Sequence, residues 1–258
     1  MRVVSVHTQA LVLTSRMWQT NAVCLRSGEE AMLIDSPYFP DELELLAQVL
    51  AQAGFEPDAL LATHADFDHL LGRLAFPALA LGVGELTAER LRRSPGAAQR
   101  ELRDADAEFY VDRPRPLSLG AVQTLPAPGA VELGEEELEV QPGEGHTSDG
   151  IVVLAAWCGV LVCGDYLSDV EIPGLGEGGS LDAYRGTLAR LGGLVERASA
   201  VVPGHGSPLS RDDALRILDE DADYLDALER GEERPALPSG RDTRSQRALH
   251  AKNLALLG

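Results

Sequence analysis

The stretch His64-Ala65-Asp66-Phe67-Asp68-His69 places four potential metal-binding side chains within six positions of the chain. It directly follows an apolar run, residues 59–63, that has the length and composition of a short buried strand. A strand holds the residues at its end rigidly while their side chains reach into a cleft. An extended turn sends alternate side chains to one side, and we expect a helix to begin near Asp68 or His69. This one segment could therefore serve two metal ions.

Three further ligand-type residues follow in glycine-rich surroundings: Gly-Glu-Gly-His146-Thr, Cys-Gly-Asp165-Tyr and Pro-Gly-His205-Gly. Imidazole and carboxylate groups are the usual ligands of catalytic zinc, and sets of this kind occur in two-metal sites. Each of these clusters follows an apolar strand and precedes a loop or a helix. The sequence therefore predicts a two-metal site built at strand ends.

Length and composition predict one large α/β domain or two small ones. The chain is long enough for a packed core, and 45% of its residues are hydrophobic. Helices are expected over residues 41–53, 181–197, 212–230 and 245–257, with a helical excursion at 85–112 and a C-terminal helical segment at 210–258. Strands are expected at residues 3–6, 10–14, 21–26, 31–35, 59–63, 78–83, 122–125, 138–141, 151–157, 160–163 and 200–202.

Charge and cysteine content narrow the choice of partner and compartment. The net charge is −19, which makes nucleic acids and anionic membranes poor partners and favours a small-molecule substrate. The three cysteines, Cys24, Cys158 and Cys163, lie in apolar runs and are expected to be buried free thiols. The first residues lack the apolar core of a signal peptide, and reduced thiols fit a reducing compartment. We therefore predict a cytoplasmic protein.

The order and context of these motifs resemble the metallo-beta-lactamase superfamily. Its pattern is His-x-His-x-Asp-His, followed by a single His, a single Asp and a last His. Residues 21–35 resemble the early hairpin of the family, which ends in Ile-Asp. The resemblance implies a single α/β domain over residues 1–258, a four-layer αββα sandwich with metals at one edge of two facing sheets. Glyoxalase II-type thioesterases share these motifs, but the acidic residues 212–233 give no support for glutathione recognition.

The resemblance also implies a role for each ligand. The first metal would be held by His64, Asp66 and His146, and the second by Asp68, His69 and His205, with Asp165 bridging the two. It implies a metal-dependent hydrolase in which a metal-bound hydroxide attacks a small ester, thioester, lactone or phosphoester. Asp68 would be catalytic by holding or sharing the proton. Two divalent ions are expected, with zinc the first choice.

Asp66 is a departure, because the family has histidine at this position. The added negative charge predicts a harder site and a shift of metal preference toward iron or manganese. A carboxylate here also resembles the flavodiiron branch, which makes a di-iron redox protein acting on oxygen or nitric oxide the main alternative. A non-catalytic family member is a third reading.

Three other residues keep two readings each at this stage. Asp35 either orients a metal-binding histidine or only shapes a turn. Tyr166 either reaches the substrate or is buried with its hydroxyl satisfied. Trp18 either lies over the cleft or packs against the protein.

Overall fold

Two β-sheets face each other in the computed structural model, which describes residues 1–257. The first sheet has seven strands in the order of the chain. They are β1 (Arg2–His7), β2 (Ala10–Thr14), β3 (Asn21–Ser27), β4 (Glu30–Asp35), β5 (Ala59–Ala62), β6 (Ala80–Gly84) and β7 (Val122–Leu125). Strands β1 to β4 pair antiparallel, and β4 to β7 pair parallel.

The second sheet has six strands in the order β13-β12-β11-β10-β9-β8. They are β8 (Gly129–Leu133), β9 (Glu136–Pro142), β10 (Ile151–Ala155), β11 (Val160–Val162), β12 (Ala200–Val202) and β13 (Leu209–Ser210). In this sheet only β11 and β12 pair parallel. Helix α5 lies between them in the chain and brings it back to the end of the sheet where β11 began, so that β12 runs in the same direction.

Seven α-helices cover the outer faces of the two sheets. The helices are α1 (Pro40–Gln52), α2 (Gly72–Ala75), α3 (Glu85–Arg93), α4 (Ala97–Phe109), α5 (Leu181–Val195), α6 (Arg211–Glu229) and α7 (Arg244–Leu257). Apolar residues of α1, α3 and α4 pack on the first sheet, and those of α5, α6 and α7 pack on the second. A third apolar cluster fills the space between the sheets. The four-layer αββα fold is therefore confirmed.

Central strands are apolar on both faces because each sheet is covered twice. All five residues of β2 and of β10 are buried, which explains their nearly continuous hydrophobic sequence. Helix α1 begins with Pro40 in its first turn, where a missing N–H costs nothing, and acidic residues follow it. No helix within residues 1–257 combines the length and apolar character needed to cross a bilayer.

The structure differs from the sequence prediction in local detail. The expected helix near Asp68 is a 3-10 turn, Phe67–His69, followed by the short α2. The excursion at 85–112 consists of two helices separated by Gly96, which has a φ of +76°. Strands β8 and β13 were not predicted. All three cysteines are buried and free, as expected.

Candidate metal centre

The two sheets are joined by main-chain hydrogen bonds at the edge where the ligand-type residues lie. Ile151 N donates to Thr63 O at 2.8 Å, and Asn21 N donates to Gly204 O at 2.7 Å. Asn21 Nδ2 also donates to the carbonyl oxygen of Pro203 at 2.9 Å. These bonds fix the loop after β5 to β10 and the loop after β12 to β3, so the site stands on rigid backbone.

The structure brings all seven predicted side chains to this edge. Each residue comes from the loop that follows β5, β9, β11 or β12, as the strand-end argument expects. Their ligand atoms form three groups, within each of which the atoms lie no more than 4.8 Å apart. The groups are His64, Asp66 and His146; Asp68, His69 and His205; and His64, His69 and Asp165.

Asp165 lies between the other two groups. Its Oδ2 is 3.3 Å from Nε2 of His146 and 3.6 Å from Nε2 of His64. Its Oδ1 is 3.2 Å from Nε2 of His69 and 3.5 Å from Nε2 of His205. Two ligands of one tetrahedral zinc ion, each at about 2.0–2.1 Å from it, lie about 3.4 Å from each other. The separations therefore match those of ligands gathered around a shared cation.

Each of the four imidazoles has its Nδ1 atom engaged outside the cluster. His69 Nδ1 is 2.9 Å from Asp35 Oδ2, and His146 Nδ1 is 2.8 Å from the Gly174 carbonyl oxygen. His205 Nδ1 is 3.2 Å from the Trp18 carbonyl oxygen, and Nδ1 of His64 is 3.0 Å from Thr63 Oγ1. Because carbonyl and carboxylate oxygens can only accept, they require a proton on Nδ1 and turn Nε2 toward the cluster. Histidines that bind metals are oriented in this way.

Four buried atoms of the cluster make no hydrogen bond within residues 1–257: Nε2 of His64, His69 and His146, and Oδ1 of Asp165. Buried polar atoms are almost always paired, so unpaired ones call for an explanation. These four nitrogen and oxygen atoms have lone pairs that can bind a metal ion, and they point at a common space. The residues present therefore fit a divalent metal centre.

The carboxylates of the cluster place negative charge next to the imidazoles and so favour their protonated form. Burial alone would lower the pKa of His146, but the neighbouring Asp66 and Asp165 carboxylates raise it to about 9. At His205 burial alone would also lower the pKa, but the charges of Asp165 and Glu171 raise the pKa of that imidazole to about 10. Protons and cations thus compete for the same Nε2 atoms.

The sequence model of the metallo-beta-lactamase superfamily matches residues 16–225, which contain the entire cluster. The chain belongs to the metallo-beta-lactamase superfamily. Membership indicates a metal-dependent hydrolase that uses divalent metal ions, typically zinc. The family prediction is confirmed, whereas metal binding by each of the seven residues stays a prediction.

Solved structures of metallo-beta-lactamases share the fold at low sequence identity. The metallo-beta-lactamase from Pontibacter korlensis is 22% identical with a TM-score of 0.61, over 84% of this chain and 98% of that one. A metallo-beta-lactamase family protein from Thermus thermophilus is 21% identical with a TM-score of 0.66, over 88% and 83%. The DIM-1 metallo-beta-lactamase is 20% identical with a TM-score of 0.63, over 86% and 97%.

Arg90 and Asp149 are neighbours of the metallo-beta-lactamase cluster that sequence reasoning missed. Nη1 of Arg90 lies 2.8 Å from Asp66 Oδ1 and 2.8 Å from Asp149 Oδ1. This guanidinium lies beside the extra negative charge of Asp66, on which the prediction of iron or manganese depends. Arg90 gives no motif signal, because it is one of several arginines on the polar helix α3 and only the fold shows that it points inward.

The contacts of Tyr166, Asp35 and Trp18 bear on the two interpretations of each residue. Tyr166 is buried, donates to the Gly143 carbonyl oxygen at 2.9 Å and accepts from His146 N at 2.9 Å. Its hydroxyl is therefore satisfied, as the second reading expected. Asp35 contacts the His69 imidazole directly, which supports the orienting reading. The Trp18 ring packs edge-on at 5.4 Å from the Tyr38 ring, which supports packing.

A cavity of about 330 Å³ opens beside the cluster. Three of the seven ligand-type residues, His146, Asp165 and His205, line it together with Glu171 and the exposed Lys252. Lys252 is the only lysine in the chain and reaches the cavity from helix α7. Leucine, isoleucine and proline side chains form much of the rest of the wall, and the polar side chains there are Ser168, Tyr184 and Asp221. The cavity therefore combines a largely apolar lining with one lysine and with acidic groups, of which Asp221 is already paired with Arg241.

Proposed function

We propose that the protein is a cytoplasmic hydrolase with a two-metal centre that acts on a small ester, thioester, lactone or phosphoester. The observation that carries this proposal is the position of Asp165. One of its oxygens faces the His64 and His146 nitrogens, and the other faces those of His69 and His205. A carboxylate divided in this way suits a bridge between two cations better than a ligand of one.

The ligand sets follow from the three groups of atoms. His64, Asp66 and His146 would hold one ion, and Asp68, His69 and His205 would hold the other. Zinc is the first choice, since imidazole and carboxylate sets suit it. The charge-based support for iron or manganese is reduced, because Arg90 offsets part of the extra negative charge of Asp66.

The bound ions would lower the pKa of a water molecule and polarise the bond to be hydrolysed. The chain's own residues orient the site and handle the proton. Asp68 Oδ2 lies 3.4 Å from His205 Nε2 and 3.8 Å from His69 Nε2, so this carboxylate is placed to hold a proton at the cluster. Tyr166 fixes the backbone of His146 and is not needed at the substrate.

The substrate proposal rests on the cavity lined by Glu171 and Lys252. Its volume suits a small molecule, and its apolar wall suits an acyl or alkyl group. The Lys252 ammonium would attract an anionic group, such as a carboxylate, at the end of the substrate away from the reacting bond. Nucleic acids are not proposed as substrates, because the net charge of −19 opposes their binding.

The direct test combines metal analysis with a panel of small esters, thioesters, lactones and phosphodiesters. The wild-type protein should contain two divalent ions per chain and hydrolyse at least one class of substrate. His146→Ala should lose more activity than the roughly 100-fold that a neighbour of a ligand costs. The matched control is His250→Ala. His250 is a buried histidine outside the cluster that is hydrogen-bonded to Tyr224, and its replacement should leave both ions bound.

Two other results would replace this proposal. Two irons, together with consumption of oxygen or nitric oxide in the presence of an electron donor, would establish the redox alternative. A purified protein that binds no divalent ion at any concentration tested would establish the non-catalytic reading.

A further inference from the structure

Arg90 is a buried cation surrounded by carboxylates. Its side chain is 7% exposed, and Nη1 donates to Asp149 Oδ1 at 2.8 Å. The same nitrogen lies 2.8 Å from Asp66 Oδ1, and Nε donates to Glu177 Oε2 at 3.3 Å. A buried charge is tolerated only when it is paired. These partners account for the burial of Arg90 on helix α3.

The two oxygens of Asp66 have different neighbours. Oδ1 faces Arg90, while Oδ2 lies 3.6 Å from Nε2 of His64 and 3.5 Å from Nε2 of His146. The guanidinium therefore fixes the rotation of the carboxylate and leaves one oxygen for the cluster. A free aspartate at this position could rotate and offer both oxygens.

Asp149 joins the two loops that carry the ligands of this group. Its Oδ2 accepts a hydrogen bond from Ala65 N at 3.0 Å, between His64 and Asp66 in the chain. The same residue lies three positions after His146 and is buried. Asp149 thus holds the loop after β5 against the loop after β9 through its own hydrogen bond with Ala65 N.

Arg90 also offsets part of the negative charge that Asp66 adds in place of the histidine of the family pattern. A histidine at position 66 would be a neutral ligand, whereas Asp66 brings one negative charge. The guanidinium lies 2.8 Å from Asp66 but also pairs with Asp149 and Glu177, so it offsets only part of that charge. Asp66 beside Arg90 is therefore closer in charge to the histidine of the family pattern than an unpaired aspartate would be.

We propose that Arg90 is a positioning residue that makes Asp66 a single-oxygen ligand of the ion shared with His64 and His146. This inference rests on the two-metal centre proposed above. Arg90 contributes nothing directly to the ion held by Asp68, His69 and His205. Its loss should therefore weaken one of two binding steps.

The test measures both zinc affinities by competition with a chromophoric chelator, a readout that needs no substrate. Arg90→Met should weaken one step by about 10–100-fold, the usual cost of losing a partner of a ligand, and leave the other unchanged. The affected step should be the one that Asp66→Ala weakens. In the Asp66→Ala background, adding Arg90→Met should change neither step further, because Arg90 acts through Asp66.

The matched control is Arg113→Met. Arg113 is also 7% exposed and pairs with a carboxylate, Asp106 at 2.6 Å, which is not one of the seven ligand-type residues. It should leave both zinc steps unchanged. Arg90→Gln, which is shorter and polar, provides a second variant if Arg90→Met does not fold.

Several outcomes would overturn the inference while leaving the metal centre intact. They are two unchanged steps in Arg90→Met, equal losses in both steps, or a loss that persists in the Asp66→Ala background. Failure of both Arg90 variants to fold while Arg113→Met folds would make Arg90 a structural residue. A wild-type protein that binds no zinc would instead refute the proposed function.

Discussion

Asp35 Oδ2 lies 2.9 Å from Nδ1 of His69, and Asp35 reaches this position with a left-handed backbone, φ +56°. The same carboxylate accepts hydrogen bonds from Thr63 N at 2.8 Å and from Thr63 Oγ1 at 2.9 Å. Asp35 ends β4, and Thr63 follows the neighbouring β5. One carboxylate therefore fixes both the backbone where the ligand loop begins and the ring of one ligand-type residue.

Replacing Asp35 by asparagine should weaken zinc binding by about 10–100-fold. The amide has one acceptor oxygen where the carboxylate has two, so it cannot satisfy both His69 and Thr63. Asparagine tolerates the left-handed backbone, so the fold should persist. The zinc competition titration measures the effect, and Asp58→Asn is the control, since Asp58 accepts from a strand N–H, Ala31 N, away from the cluster. Equal zinc affinities in wild type and Asp35→Asn would remove Asp35 from the site.

Replacing Gly204 by alanine should disturb both proposed zinc ions together. A Cβ at Gly204 would overlap Asp165 Oδ1 and lie 2.9 Å from His69 Cε1, so the central carboxylate must move. Both binding steps should weaken, unlike the single step expected for Arg90→Met. The control is Gly193→Ala in helix α5, where a Cβ meets no atom within 4 Å. It should raise the free energy of unfolding by about 0.5–1 kcal/mol. Unchanged zinc binding in Gly204→Ala would show that Asp165 is not the shared ligand.

Replacing Lys252 by glutamine should raise KM for anionic substrates and leave kcat nearly unchanged. The ammonium lines the cavity at the exposed end of α7, outside the seven ligand-type residues, so it would act on binding and not on the reacting bond. Neutral substrates of the same size should show no change in KM, and they serve as the internal control. A fall in kcat with unchanged KM would contradict this role for Lys252.

Glu42 should make the stability of the metal-free protein depend on pH. Burial alone would raise the pKa of the Glu42 carboxyl, but hydrogen bonds from Ser15 Oγ at 2.6 Å and Arg16 N at 3.0 Å lower it below its usual value. A lowered folded-state pKa stabilises the fold above the unfolded-state pKa, and this stabilisation is lost as the pH falls through the folded-state value. The Glu42 carboxylate thereby supports the loop that carries Trp18, whose carbonyl oxygen contacts His205.

Glu42→Gln should therefore reduce the free energy of unfolding by about 1–3 kcal/mol at neutral pH, and the difference from wild type should shrink at acid pH. Chemical denaturation at a series of pH values measures this difference. Glu44→Gln, on the exposed face of the same helix, should have little effect at any pH. A difference that stays constant down to acid pH would contradict the role of the Glu42 charge.

The sequence was sufficient for the fold class and for all seven residues of the cluster, because each ligand-type residue stands in a short motif at the end of an apolar strand. Arg90 could not be found in this way, since its role depends on which face of α3 packs inward. Asp149 was missed because its partners, Arg90 and Ala65 N, are distant in the chain. Strand β8 was missed because Gly129-Ala-Val-Glu-Leu133 is short, begins with glycine and contains a glutamate, and its pairing with β9 fixes it.

The sequence also did not predict the local conformation of the loop that follows β5. Asp68 and His69 were expected to begin a helix, but they belong to a 3-10 turn. The turn directs Asp68 toward His205 while His69 points toward Asp35 and Asp165. Long-range contacts of this kind select between two turn types that the sequence does not distinguish.

The most direct test of the metal centre is anomalous X-ray diffraction from zinc-loaded crystals, measured on both sides of the zinc absorption edge. We expect two anomalous peaks on either side of the Asp165 carboxylate, one beside Nε2 of His64 and His146 and one beside Nε2 of His69 and His205. A single peak, or peaks only at surface carboxylates away from these nitrogens, would contradict the two-metal centre.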